Sequence, residues 1–314
     1  MKTTIFPTIQ GVRDAVAAAR AQGKTIGVVP TMGALHEGHA ELIRHARAGN
    51  GYVVVTVFVN PLQFDRPEDL EKYPRDLATD VALCERMGAD AVFAPSVEEM
   101  YPGELLTSVE VGGLSQRLEG EYRPGHFKGV ATVVAKLLNI VQADRAYFGE
   151  KDAQQLAVIQ RMVGDLNLPV AIVPVETVRE SDGLALSSRN RLLTAEQRAV
   201  APLIYQALSA ARQALEAGKT PVEARTEALR LVSGVPEMTV QYLEIADAAA
   251  MTPVDRKTGP VRVAAAGLVT ERQLEVAIGL TLLAAGGAGL WLATVGGPFL
   301  VGRSEEHTSE LQSH

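Results

Sequence analysis

The chain has one cysteine in 314 residues, Cys84, and therefore lacks both an intramolecular disulfide framework and any multi-cysteine metal site. That usage suits a reducing compartment. Cys84 is spaced with Val81 and Met87 on the apolar side of a helical pattern and reads as a small core residue rather than a nucleophile. Positive charge is also scarce, with 30 Lys+Arg against 37 Asp+Glu and a formal net charge of −7. This excludes a partner bound through a nucleic-acid backbone and leaves room for small anions held by a few local cations. The first residues, MKTTIFPTIQGVRDAV, contain no continuous apolar run and no small-residue cleavage site, so a cytoplasmic location is expected. There is no internal repeat and no low-complexity linker.

What is present is an ordinary globular composition, 47% hydrophobic and 21% charged, long enough for two domains. Short β-branched runs at 25–29, 52–59, 89–94, 146–148 and 170–175 alternate with stretches of helical spacing at 39–48, 77–87, 129–141 and 154–167. Strand–helix–strand alternation with short connections predicts a doubly wound α/β fold, a parallel sheet covered by helices on both faces. After about residue 180 the pattern changes. Thr194 with Gln197 is a capping box that opens a long helix over 195–217, ended by Gly218, and Pro221 starts a second helix reaching Val232. Strand-like QYLEIAD (241–247) and VRVAAA (261–266) follow, which makes a smaller C-terminal α+β domain. The expected division is 1–178 and 179–266.

Three strings could carry chemistry. Pro30-Thr31-Met32-Gly33-Ala34-Leu35-His36-Glu37-Gly38-His39 lies where the first of these strands meets a helix, the edge at which open α/β sheets bind ligands and at which a helix N-terminus offers free N–H groups. His36 and His39 share one face of the first turn and can donate to phosphates. As a zinc site the pair would need a third ligand that the sequence does not show, and it lacks the i, i+4 spacing of HExxH. Phe148-Gly149-Glu150-Lys151-Asp152-Ala153-Gln154-Gln155 lies at a second strand-to-helix switch. Lys151 there suits a phosphate, Asp152 a helix cap or a metal ion, and Gln155 a polar substrate; the plain alternative is a solvated turn. In the third string, Val178 to Asn190, a Ser187-Ser188-Arg189 loop combines hydroxyl donors with a guanidinium fork suited to a polyphosphate, or serves as an interdomain loop capped by arginine. Gln63, just past the second strand, points to the same crevice, whereas Tyr73-Pro74-Arg75 reads equally as loop packing. Arg123, His126 and Lys128 form either a small cationic patch or a solvated face.

Six strings in order, PTMGALHEGH (30–39), FVNPLQF (58–64), YPRDLATD (73–80), EGEYRPGHFKGVATVV (119–134), YFGEKDAQQL (147–156) and RESDGLALSSRN (179–190), resemble the pantothenate synthetase family of pantoate–β-alanine ligases over about residues 1–266. The resemblance implies a Rossmann-like domain of nucleotidyltransferase type, a small C-terminal domain and a homodimer. It also implies ATP- and Mg²⁺-dependent joining of pantoate to β-alanine through a pantoyl-adenylate, with release of AMP and pyrophosphate. Under it, Met32, Gly33, Ala34, Leu35, His36, Glu37, Gly38 and His39 form an ATP-binding loop, with His39 the proton donor and His36 on the phosphates. Gly149, Glu150, Lys151 and Asp152 bind ATP, with Lys151 on the phosphates, and Val178 contacts the adenine side. Leu186, Ser187, Ser188 and Arg189 form the signature loop, Leu186 standing where the family usually has methionine, a near-isosteric exchange. The reacting centre is then His36, His39, Lys151 and Arg189. Gln63 and Gln155 hold pantoate, Gln63 also beside β-alanine, and no metal ligand is assigned. The alternative is another nucleotidyltransferase or adenylate-forming enzyme acting on a small acid.

Near residue 267 the family pattern breaks off. No charged residue stands between Val276 and Gly302, and Ile278–Val301 is long enough to cross a bilayer as a helix. Gly286-Gly287, Gly289 and Gly296-Gly297-Pro298 weaken that helix, so no membrane anchor is expected. Residues 267–314, closing on RSEEHTSELQSH, read as an aberrant tail produced by a frame change or fusion.

Overall fold

The structure is a computed structural model that describes residues 2–187, 190, 193–256, 259–271 and 274–284. Its larger sheet holds β1 (Thr4–Phe6), β2 (Ile26–Thr31), β3 (Tyr52–Val57), β4 (Ala91–Phe93), β5 (Arg145–Gly149) and β6 (Ala171–Val175). All neighbours are parallel, in the order β1-β4-β3-β2-β5-β6. The connecting helices are α1 (Ile9–Ala21), α2 (Glu37–Gly49), α3 (Pro67–Lys72), α4 (Leu77–Arg86), α5 (Val97–Met100), α6 (Glu119–Tyr122), α7 (His126–Val141) and α8 (Ala153–Asp165).

The central strands bury both faces, which explains their nearly continuous apolar runs. Ile26 and Val28 of β2 and Val54 of β3 pack with α1, α7 and α8, while Val29, Val53 and Val55 pack with Ala40, Ile43 and Ala46 of α2 and Leu83 and Cys84 of α4. Crossovers that run in opposite directions along the sheet thus use opposite faces. The chain turns one way after β2, through α2 to β3, and returns on the other side of β2 as β5, so the strand order reverses between β2 and β5. That switch point is where an open α/β sheet leaves a crevice beyond its strand ends.

The C-terminal unit contains α9 (Ala195–Val200), α10 (Leu203–Glu216), α11 (Pro221–Val232) and an antiparallel sheet of β7 (Met238–Asp247), β8 (Val261–Glu271) and β9 (Leu274–Ala284). Its own core joins Ile204, Leu208 and Ala211 of α10 to Leu243, Ile245 and Val263 of the sheet. The capping boxes at Thr194 and Thr220 are present, and Gly218 adopts a φ of +85° just past α10. The single long helix expected over 195–217 is two helices, because Pro202 supplies no N–H and its ring clashes with the preceding turn. Two N-terminal elements, β1 and α1, have no counterpart in the sequence reading.

The two units touch through Tyr242 of β7, which stacks on Tyr122 with ring centroids 6.2 Å apart, and through Tyr122 Oη, which donates to Gln241 O at 2.6 Å. The division placed at residue 266 falls inside β8. This strand continues to Glu271, and β9 pairs with it from Val261↔Ala284 to Glu271↔Leu274, the alternation of apolar residues through LEVAIGLTLLA being compatible with a strand. Residues 285–314, which include most of the uncharged run and the closing polar string, lie outside the described residues. Among the described residues no helix is long and apolar enough to cross a membrane.

Candidate functional site

Thr31 ends β2 and Gly149 ends β5, so the switch point sets the first two chemical strings side by side. A cavity of about 250 Å³ opens there. Of the residues singled out in the sequence, Met32, His36, Gly38, His39, Gln63, Gly149, Lys151, Asp152, Gln155, Val178, Leu186 and Ser187 all line it. Ser188 and Arg189 lie outside the described residues.

The two histidines are fixed by the start of α2. His36 is its N-cap, and Nδ1 of His36 accepts from Gly38 N at 3.1 Å while Nδ1 of His39 accepts from His36 N at 3.2 Å. A ring nitrogen that accepts from a backbone N–H carries no proton, so in each neutral ring the N–H is at Nε2. The rings lie 4.2 Å apart at 51°. Burial, then the adjacent His36 and Lys151, push the His39 pKa down to about 3, so His39 is a neutral N–H donor.

Gly33, Ala34 and Leu35 stand behind this helix end rather than along the cavity. Gly33 has a φ of +86° and Ala34 one of +51°, a left-handed path that a second group must hold in place. Asp80 of α4 supplies that group: it is 2% exposed, and its carboxylate accepts from Leu35 N at 2.7 Å and Ala34 N at 3.1 Å. Burial raises the Asp80 pKa, against the opposing pull of these two bonds. A Cβ on Gly33 would meet Asp80 Oδ2 at 2.8 Å, so the loop and the carboxylate fit only with glycine there. Glu37 points away and pairs with Arg44 at 3.3 Å.

Gln63 is buried, and its side chain is oriented by Asn60, whose Nδ2 donates to Gln63 Oε1 at 3.1 Å and to Gly129 O at 3.2 Å. Tyr101 Oη in turn donates to Asn60 Oδ1 at 2.8 Å. With Oε1 engaged, the Gln63 amide NH₂ is the end left for a ligand. Its backbone carbonyl accepts from His126 Nδ1 at 2.8 Å and from Arg123 Nη2 at 3.3 Å. The cationic patch considered for Arg123, His126 and Lys128 is not formed. Burial and the nearby Arg123 push the His126 pKa down to about 4, and Arg123 pairs with Glu119 at 3.4 Å and Asp65 at 3.5 Å. Arg123 and His126 hold the Gln63 turn instead, while Lys128 is exposed.

At the end of β5, Lys151 Nζ lies 3.2 Å from Asp152 Oδ1. Asp152 occupies the N-cap position of α8 without a side-chain capping bond. Glu150 does not line the cavity and offsets electrostatically the desolvation of Arg262 on β8. The neighbouring glutamines divide: Gln154 is buried and donates to Leu114 O and Arg117 O at 2.7 and 2.6 Å, while Gln155 lines the cavity. Tyr73 also lines it, packed edge-on against Phe64 at 5.7 Å. Cys84 is fully buried, and burial pushes its thiol up to about 12, which makes it inert core. Among the described residues no three His, Cys, Asp or Glu side chains converge as a metal-binding group.

Sequence reasoning assigned Asp80, Asn60 and Tyr101 no role of their own. The first two fall inside matched strings, but their task is visible only when the α4 carboxylate reaches back to the loop and the Asn60 amide reaches Gln63.

The cavity brings together a lysine, two imidazoles, a helix N-terminus and two glutamines. This arrangement offers positive potential for a polyphosphate next to hydrogen bonds for a small polar acid. Comparison with known proteins identifies the family. The family model described as pantoate-beta-alanine ligase matches residues 4–275. The pantothenate synthetase of Cereibacter sphaeroides is 54% identical over 262 residues, covering 83% of this chain and 94% of its own, and that of Moorella thermoacetica is 50% identical over 271 residues, covering 86% and 96%. Among solved structures, pantothenate synthetase from Thermus thermophilus aligns with a TM-score of 0.84 at 46% identity, covering 90% of this chain and all of that one. Pantoate-beta-alanine ligase from Francisella tularensis, complexed with beta-gamma ATP and beta-alanine, aligns with a TM-score of 0.72 at 31% identity, covering 91% and 99%. The chain belongs to the pantoate–β-alanine ligase family, the pantothenate synthetases.

Proposed function

We propose that the cavity at the β2/β5 switch point joins pantoate to β-alanine in two steps. A pantoate carboxylate oxygen attacks the α-phosphorus of ATP and the bond to the bridging oxygen breaks, giving pantoyl-adenylate and pyrophosphate. The β-alanine amine then attacks the acyl carbon, AMP leaves, and the amine sheds a proton as the amide of pantothenate forms. The observation that carries this reading is the convergence of Lys151, His36 and His39 with Gln63 and Gln155 on one cavity.

Each group has a task set by its environment. Lys151 places a full charge on the phosphates, and it is the residue for which no hydrogen-bonding neighbour can substitute. His36 and His39, with Nδ1 occupied by backbone N–H groups, present Nε2–H to phosphate oxygens. Burial, with His36 and Lys151 beside it, lowers the His39 pKa to about 3, so its neutral ring offers the Nε2 proton as the donor on the phosphates. The free NH₂ of Gln63 and the amide of Gln155 orient pantoate, and Val178, Leu186 and Ser187 flank the nucleotide, with Ser188 and Arg189 continuing that loop. Asp152 is a carboxylate on the cavity wall that would hold a Mg²⁺ carried on the phosphates, and the ion would supply positive charge to the leaving pyrophosphate.

The same reading includes a homodimer and a cytoplasmic location. The single buried thiol suits a reducing compartment. This reading also divides the chain into 1–178 and a C-terminal unit that starts at 179 and includes β8 and β9 to Ala284.

The test is pantoate-dependent pyrophosphate release by Lys151→Ala. A loss of about 100-fold or more in kcat/KM with the folded state intact is expected, as for removal of one transition-state charge partner. Near-normal release would overturn the assignment.

A further inference from the structure

Segment 178–187 is a short hairpin whose two ends face different parts of the molecule. Its open end stands in the cavity, where Leu186 N donates to Val178 O at 3.0 Å and Ser187 follows. Its closed end is the Asp182-Gly183 turn, in which Glu180 N donates to Leu184 O at 2.7 Å, Gly183 N to Glu180 O at 2.9 Å and Leu184 N to Asp182 Oδ1 at 3.1 Å. A bridge between Arg179 and Ala185 joins the two ends.

The closed end carries two carboxylates that repel each other, Glu180 and Asp182, and one guanidinium from the C-terminal unit meets both. Arg198 of α9 places Nη1 2.6 Å from Asp182 Oδ2 and Nη2 2.6 Å from Glu180 Oε2. Charge-assisted bonds from a planar fork fix orientation as well as distance. A second tie lies beside it: the Arg179 guanidinium stacks on the Tyr205 ring of α10 at 4.4 Å and donates to Gly183 O at 3.2 Å. Gly183 has a φ of +92°, and a Cβ there would lie 2.0 Å from Tyr205 Cδ1, so the turn sits directly on the helix.

We infer that Arg198 is a positioning residue for the nucleotide: by holding Glu180 and Asp182 together on α9, it sets where the paired Val178 and Leu186 stand in the cavity. It is absent from the cavity lining, and its influence travels through the cross-strand bonds of the hairpin. The groups that orient the acid, Gln63 and Gln155, belong to other elements with separate supports. Loss of the clamp therefore weakens ATP binding and spares pantoate binding. The inference rests on the reading of the cavity as an ATP and pantoate site.

The experiment measures initial-rate kinetics of the full chain and of Arg198→Met, Arg198→Lys and Asp182→Asn, with thermal unfolding of each. The expected result for Arg198→Met is a rise of about 10-fold in the KM for ATP with the KM for pantoate within about 2-fold of the parent, a split that marks loss of ground-state nucleotide binding. Arg198→Lys, which keeps the charge but not the fork, falls between them, and Asp182→Asn shifts the KM for ATP in the same direction. A purely structural role would lower the active fraction, and so kcat, or raise both KM values together; either outcome, or an unchanged KM for ATP, overturns the inference. If the parent chain itself releases no pantoate-dependent pyrophosphate, the proposed function fails along with it.

Discussion

At the scale of single residues, the site is built from side chains whose charge states are set by what surrounds them. His39 illustrates the sign. Its ring titrates near 6.5 when unfolded and near 3 when folded, so between those values the unfolded chain binds more protons. Its contribution to stability is whole above pH 6.5 and declines as pH falls toward 3, at a limiting slope of about 1.4 kcal/mol per pH unit. His39→Gln should therefore flatten the loss of stability between pH 7 and pH 4, read by urea unfolding across that range; an unchanged slope would mean that the ring is solvated. Asp80 makes a different prediction. Asp80→Ala strands the buried Leu35 N–H, at about 1–3 kcal/mol, and the half-buried Ala34 N–H, and lets the Gly33–Leu35 loop relax, so it should lower the unfolding midpoint and raise the KM for ATP. A variant with normal ATP affinity would separate the loop from the nucleotide site. The histidines and Lys151 could be read from the sequence because they stand in short strings at strand ends. Asp80 could not be assigned its part, since its partner loop lies far back along the chain and no local periodicity links a carboxylate on α4 to a positive-φ turn after β2.

At the scale of elements, boundary chemistry was read in the C-terminal unit, at Thr194, Gly218 and Pro221, and missed at α1. Ser, Thr or Asp side chains accept at the starts of α1, α4, α5, α9 and α11, as the first-turn N–H groups require. The capping box at Thr194 fixes the start of α9, the helix that carries Arg198. Thr194→Ala should cost about 1 kcal/mol of stability, measured by chemical denaturation with an unchanged m-value. The break between α9 and α10 was written in Pro202, yet helical spacing continues on both sides of it, and periodicity alone runs straight through such a kink. β1 escaped because a three-residue edge strand is too short to show alternation.

At the scale of the whole molecule, the alternation of strands and helices conveyed a parallel sheet but not its order. That order, β1-β4-β3-β2-β5-β6, depends on which face each crossover covers, and it is what brings the strings after β2 and β5 together. The sequence reading ended the C-terminal unit at residue 266, whereas the family model matches to residue 275 and the backbone pairing of β8 and β9 continues to Ala284. A chain ending at Ala284 should match the full chain in kcat/KM, while one ending at Ala266, which removes β9 and part of β8, should unfold at a lower temperature; equal midpoints for the two would show that β9 adds nothing to the fold. The measurement that tests the account most directly is the exchange of labelled pyrophosphate into ATP by the purified chain. The account predicts exchange that requires pantoate and proceeds without β-alanine, with AMP accumulating only when β-alanine is added. Exchange supported by another small acid and not by pantoate, or none until β-alanine is present, would contradict it.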